Sequence, residues 1–173
     1  MKINDEIYKF NLKKELKNIY PFLIEDCFKY KNRLNTKFGN SYLLETKYNN
    51  YLYDIFIKYC NKVLNKFTLK DNDFKCWCYY SDITFTKANW HNHKKSSTIN
   101  SVIYLNLPKK EKGIDFKINN KIFNFMPKKF DFIIFPNYLE HYPYPSNTDE
   151  PRISLNLELR CFEDSRKIFK LND

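Results

Sequence analysis

At 173 residues, with 43% hydrophobic and 18% aromatic residues, the chain suits one packed domain and excludes a disordered one. Its two glycines, Gly39 and Gly113, are too few for a glycine-rich phosphate loop or a dinucleotide-binding fingerprint. Thirty Lys and Arg against 20 Asp and Glu give a formal net charge of +10, a balance that favours anionic partners, nucleic acid among them. The lysines are spread along the chain, as in an AT-rich coding genome, and no block of them forms a nucleic-acid arm, so the case for nucleic acid is weak. The five cysteines (27, 60, 76, 78 and 161) are odd in number and fit free thiols in a reducing compartment. Cys76 and Cys78 have no second pair to complete a zinc site and read as core residues of one strand face. The polar N-terminus is no signal peptide and no apolar run reaches membrane-spanning length, so a cytoplasmic protein is expected, in the host cytoplasm if virus-encoded.

In chain order, Ile7–Leu12 alternates as an edge strand would. From Lys13 the apolar spacing becomes helical through Phe28, Leu34 and Phe38. Pro21 starts a new helix within this stretch, and Gly39-Asn40-Ser41 stops it. Tyr48–Phe67 carries apolar residues every three or four positions and is the best amphipathic helix in the sequence. Asp71-Asn72-Asp73 makes a turn. The period then changes to strands: Cys76–Tyr80, Ile83–Thr86, Ile99–Leu107, a hairpin of Ile114–Ile118 and Lys121–Phe125 around Asn119-Asn120, Phe130–Phe135, and Arg152–Leu159. Lys109–Gly113 is a charged turn, and Tyr142-Pro143-Tyr144-Pro145 a rigid loop that could also line the mouth of a site. The expected fold is mainly β with N-terminal helices, one domain over 1–173. Residues 1–70 form a mainly helical support and 74–162 a small barrel or jelly roll backed by those helices.

Chemistry concentrates in the three histidines. On a strand, side chains at i and i+2 point the same way, so His91 and His93 can face one interior and bind one ion, with Asn92 facing away. His141, just past an apolar strand and Pro136, can supply a third imidazole, and such ligands suit iron, zinc, copper or nickel. Arg152, Ser154, Asn156 and Glu158 share one face of the last strand. Ile153, Leu155, Leu157 and Leu159 share the other, and the polar face is expected inward because the helices need an apolar surface to cover.

Across Trp77–Leu159 the order of these pieces resembles the Fe(II)/2-oxoglutarate-dependent oxygenase superfamily, in particular short oxygenases of phages and marine microbes. The pieces are His91-Asn92-His93, Ser101–Pro108, Ile133–Asn137, His141 and Arg152-Ile153-Ser154. The resemblance implies a double-stranded β-helix with His91 and His141 as iron ligands. It also implies Arg152 as partner of the distal carboxylate of 2-oxoglutarate; by position, Ser154 could donate to the same carboxylate and Tyr104 could reach it from the strand after the histidine pair. It implies Fe(II), 2-oxoglutarate and O2 as the working set, and hydroxylation of a prime substrate that the sequence does not name. His93 stands where the family has an acid. The expectation is three histidine ligands, the alternative a carboxylate such as Asp82 or Asp115 with His93 outside the ligand set. Two other readings compete: a cupin-like dioxygenase or isomerase without 2-oxoglutarate, which lacks its glutamate here, and a non-enzymatic basic nucleic-acid-binding or virion-associated jelly roll, which leaves the histidines unexplained.

Overall fold

A computed structural model describes residues 1–4, 6–31, 41–70, 74–84, 88–146 and 148–169. The elements are β1 (Lys2–Asn4), β2 (Ile7–Asn11), α1 (Lys13–Leu16), α2 (Tyr20–Lys31), β3 (Ser41–Leu43), α3 (Asn49–Val63), β4 (Lys75–Ser81), β5 (Ile99–Asn106), β6 (Ile114–Ile118), β7 (Lys121–Phe125), β8 (Asp131–Pro136), β9 (His141–Pro143), β10 (Arg152–Leu159) and α4 (Ser165–Ile168). The strands form an antiparallel seven-stranded sheet in the order β1-β2-β8-β5-β10-β4-β3 and a three-stranded sheet in the order β7-β6-β9. These are two separate ladders among the described residues, a large and a small sheet as in the expected jelly roll, and they do not form a closed barrel. An isolated bridge between His91 and His141 extends the small one.

Strand β10 organises the large sheet. It pairs along its length with β4 on one side and β5 on the other, and a strand so enclosed must satisfy both faces. Its period of two does this: Ile153, Leu155, Leu157 and Leu159 join a core with Leu52, Ile55, Phe56 and Cys60 of α3, as expected. Burying each such Leu or Ile fully stabilises the fold by roughly 1.5–3 kcal/mol. The opposite face packs a second core, in which Val102 and Tyr104 of β5 and Ile133 and Phe135 of β8 meet Ile114, Phe116 and Phe125 of the small sheet. All five cysteines are free and buried, and burial raises the Cys161 thiol to about 12, which makes it a packing group at neutral pH.

Several expectations shift for local reasons. Ile7–Asn11 is a strand but not the edge, because β1 pairs on its outer side. Pro21 lies in the first turn of α2, where its missing N–H costs nothing. Helix α3 ends at Val63 because Leu64 turns to extended backbone, leaving Phe67 beyond it. Ile83 and Thr84 lie in a turn, not a strand, since Asp82 accepts from Thr84 N at 2.8 Å and from Thr84 Oγ1 at 2.5 Å. Tyr142 and Pro143, read as loop, belong to β9 and pair with β6. The hairpin holds as expected: Asn119 and Asn120 take φ of 49° and 60°, which a two-residue turn matched to the strand twist requires. Leu34, Phe38, Gly39-Asn40, Asp71-Asn72-Asp73 and Phe85-Thr86 lie outside the described residues. No helix among the described residues is long and apolar enough to cross a membrane.

Candidate metal and anion site

The three histidines converge, though not by strand alternation. His91 N donates to His141 O at 3.1 Å and His141 N donates to His91 O at 2.9 Å. Such a reciprocal pair sets two side chains opposite one another on the same face, and the ring centroids lie 4.2 Å apart. His93 lies just beyond the bridge in irregular backbone, so the i, i+2 strand geometry is not what aims it. Its N–H donates to Asn137 O at 2.8 Å, and Asn137 Nδ2 donates to Ser97 O at 2.7 Å. These bonds tie the loop to the end of β8. The nearest ligand atoms of His91, His93 and His141 all lie within 4.8 Å of one another, a group that could hold a metal ion.

Each imidazole is oriented through Nδ1. His91 Nδ1 meets Asn89 O at 2.9 Å and His141 Nδ1 meets Leu139 O at 3.0 Å; a carbonyl can only accept, so each Nδ1 carries the proton. His93 Nδ1 meets Glu158 Oε1 at 2.8 Å. All three rings therefore have Nε2 available as a lone-pair donor, the arrangement usual for metal-ligating histidines. Desolvation lowers the pKa of His91 although part of the residue is exposed, and its bond to Asn89 O opposes the shift. For the deeply buried His141, burial first and then the neighbouring His91 and His93 hold it well below the ordinary value. These shifts favour the neutral imidazole at His91 and His141, the state that binds metal.

A cavity of about 510 Å³ runs from this cluster between the sheets. Its lining includes Tyr104, Arg152, Ser154, Asn156 and Glu158, so the polar face of β10 does turn inward. Arg152 is 1% exposed. Its Nη1 donates to Glu111 Oε1, to Gly113 O at 2.8 Å and to Tyr144 O at 3.0 Å, while its Nε is buried without a partner. Tyr104 OH is also buried without a partner, and the guanidinium carbon lies 5.4 Å from the Tyr104 ring centre. A buried polar atom left unpaired is costly, so two of them in one corner define a place where an acceptor fits.

Gly113 shapes the loop that clamps Arg152. Its φ is +81°, and a Cβ there would stand 2.2 Å from Phe125 O, so no other residue fits without a backbone shift. Glu111, read only as part of a charged turn, is the acid paired with Arg152, and burial raises its pKa against the opposing pull of that arginine. Asp82 and Asp115 do not join the histidines. Asp82 accepts from Tyr80 OH and Thr84, and Asp115 from Asn124 Nδ2 at 2.6 Å and Tyr144 OH at 2.9 Å. Among the described residues, the carboxylate that does reach a histidine is Glu158, already visible in the sequence on the Arg152 face but given no role there. Tyr142 and Tyr144 are not among the lining residues. Pro143 is, and Tyr142 packs on Trp90 at 5.8 Å instead.

This arrangement of sheets is similar to that of several solved prolyl hydroxylases. No family model matches the sequence, and no curated protein matches it. Among solved structures, a prolyl-4-hydroxylase of Pseudomonas putida is similar at a TM-score of 0.67 and 12% identity, over 90% of this chain and 92% of that one. A prolyl hydroxylase of Trichoplax adhaerens, solved with a peptide fragment of the hypoxia inducible factor oxygen degradation domain, gives 0.61 and 12%, over 91% and 84%. The viral collagen prolyl hydroxylase of Paramecium bursaria Chlorella virus-1, solved with 2-oxoglutarate, gives 0.56 and 12%, over 89% and 95%. At such identities the likeness is one of fold.

Proposed function

We propose that the chain is an Fe(II)- and 2-oxoglutarate-dependent oxygenase, a hydroxylase in reaction type, with a core of double-stranded β-helix form. The observation that carries this reading is that one cavity joins three Nε2-presenting histidines to a buried arginine beside an unpartnered tyrosine hydroxyl. The donor set fits a divalent first-row metal: three imidazoles close together, with room for further ligands on the cavity side. The arginine corner fits a carboxylate, because a guanidinium keeps its charge when buried and binds carboxylates through paired N–H groups. A cupin-like metal enzyme without 2-oxoglutarate would give that corner no partner.

His91, His93 and His141 would hold the iron, and Arg152, Tyr104 and Ser154 would hold the distal carboxylate of 2-oxoglutarate. When bound with O2, this pair supplies an oxidation of a substrate C–H bond coupled to decarboxylation of 2-oxoglutarate to succinate. The chain's own residues do the rest. The bridge between His91 and His141 sets two ligands before any metal arrives, so little reorganisation is needed on binding. The Nδ1 acceptors fix which nitrogen faces the cavity. Glu111, Gly113 O and Tyr144 O grip Nη1 of Arg152 and so orient the remaining edge of the guanidinium. Val102, Ile114 and Phe135 give the cavity apolar walls that exclude water and strengthen the polar contacts within it. Proline-containing peptides are the first substrates to try, since one structure of similar fold holds a peptide.

Anaerobic addition of Fe(II) and then 2-oxoglutarate tests the reading. A visible metal-to-ligand charge-transfer band is expected only when both are present. Folded protein that binds Fe(II) yet gives no band with 2-oxoglutarate would overturn it.

A further inference from the structure

Resting on the reading of the histidines as a metal site, we propose that Glu158 is a positioning residue for His93 and gives the site the negative charge that its three neutral ligands lack. The family-like position for an acid, two residues after His91, is filled by His93. Of the three Nδ1 atoms, two face backbone carbonyls, and only that of His93 faces a carboxylate, at 2.8 Å. The two partners are anchored unequally. His93 rides on irregular backbone, whereas Glu158 lies in β10, hydrogen-bonded into β4 and β5 with Lys75 and Asn100 directly across from it. The rigid strand therefore fixes the ring of the loop residue, not the reverse.

Charge supports the same assignment. Glu158 is 6% exposed, and the one ion pair described for it is with His93. A buried carboxylate is costly unless cations lie close by; Lys75, directly across on β4 and lining the same cavity, is one such neighbour, though the ion pair described for Glu158 is with His93. A divalent ion on the far nitrogen of that imidazole is such a cation, and the carboxylate in turn makes His93 the more basic ligand. The acid thus acts through the histidine instead of on the ion. Ser96 Oγ, 3.5 Å from the same Nδ1, is too distant to replace it.

The test uses the full chain and Co(II), followed by its visible absorption under titration, on wild type, Glu158→Gln, His93→Ala and the double variant. Gln keeps the shape and an acceptor while removing the charge, and equal melting temperatures without metal establish that the fold is kept. Glu158→Gln is expected to weaken Co(II) binding roughly 10- to 100-fold. In the His93→Ala background the same change is expected to cost less than about twofold, because the partner through which it acts is gone. Wild-type affinity in Glu158→Gln, or an equal loss with and without His93, overturns the role of Glu158 alone. Wild type that binds no Co(II) overturns the metal reading together with it.

Discussion

The two ends of the cavity are built in opposite ways. At the histidine end the ligands come largely from irregular backbone: His91 lies in an isolated bridge, His93 in a loop and His141 at the first residue of a three-residue strand. Every ring is nonetheless satisfied at Nδ1. At the arginine end the residues lie in long, doubly paired strands, yet Arg152 Nε and Tyr104 OH are left without partners. In the proposed reading the histidine end is assembled in advance and only the ion is external to it. The arginine end is rigid but leaves two polar atoms unpaired, and in the proposed reading a carboxylate completes it. Separate binding steps follow, and each end can be broken alone.

The largest effect is expected from Arg152→Ala, which should weaken 2-oxoglutarate binding by about 2–5 kcal/mol, roughly 30- to 5,000-fold, while Co(II) affinity stays near wild type. Because this change strands Glu111, Arg152→Lys serves beside it; it keeps the charge but loses the fork, and an intermediate loss is expected in calorimetry. Equal loss of metal and 2-oxoglutarate binding would make Arg152 a structural residue. Next, Gly113→Ala forces a positive φ and a backbone collision, and should cost about 1–3 kcal/mol in denaturant unfolding. It should loosen the Arg152 end more than the metal end.

A third expectation concerns pH and separates the ends again. His141 has a lowered pKa in the fold and an ordinary one, about 6.5, when unfolded. Below that value the unfolded chain takes up a proton that the folded chain refuses. Stability of the metal-free protein is therefore retained above about pH 6.5 and lost as pH falls toward the folded pKa, by up to about 1.4 kcal/mol per pH unit. Melting between pH 7.5 and 5.5 checks the sign, and His141→Ala should flatten the slope. The smallest effect is Tyr104→Phe. Removing an unpartnered buried hydroxyl should leave metal-free stability unchanged or slightly raised, and weaken 2-oxoglutarate by about 0.5–1.5 kcal/mol. A marked loss of stability would mean that the hydroxyl is already satisfied in the fold.

The sequence made legible what depends on period. The alternation of β10, the spacing of α3 and the Asn119-Asn120 turn each carry a local signal, and each appears in the structure. The histidines converge by a different route from the one their spacing suggests: the same residues meet, but through a bridge to His141 fifty positions away. What was not legible depends on cross-strand register. Glu158 was readable as inward but not as opposite His93, and nothing in the Lys109–Gly113 turn marks Glu111 as the partner of Arg152. Strands of three residues, such as β3 and β9, are too short to show a period, which is why Tyr142 and Pro143 read as loop although they pair in β9.

The central claim is that metal and 2-oxoglutarate occupy one cavity, and it is tested most directly by their thermodynamic coupling. Calorimetric titration of 2-oxoglutarate into the protein with and without Mn(II) reads this, and reciprocal titration of Mn(II) must return the same factor. Tighter 2-oxoglutarate binding with the ion present, a gain lost in His141→Ala but kept on a weaker baseline in Arg152→Ala, is the predicted result. Affinity that is indifferent to the ion would place the two ligands at unconnected sites and contradict the account.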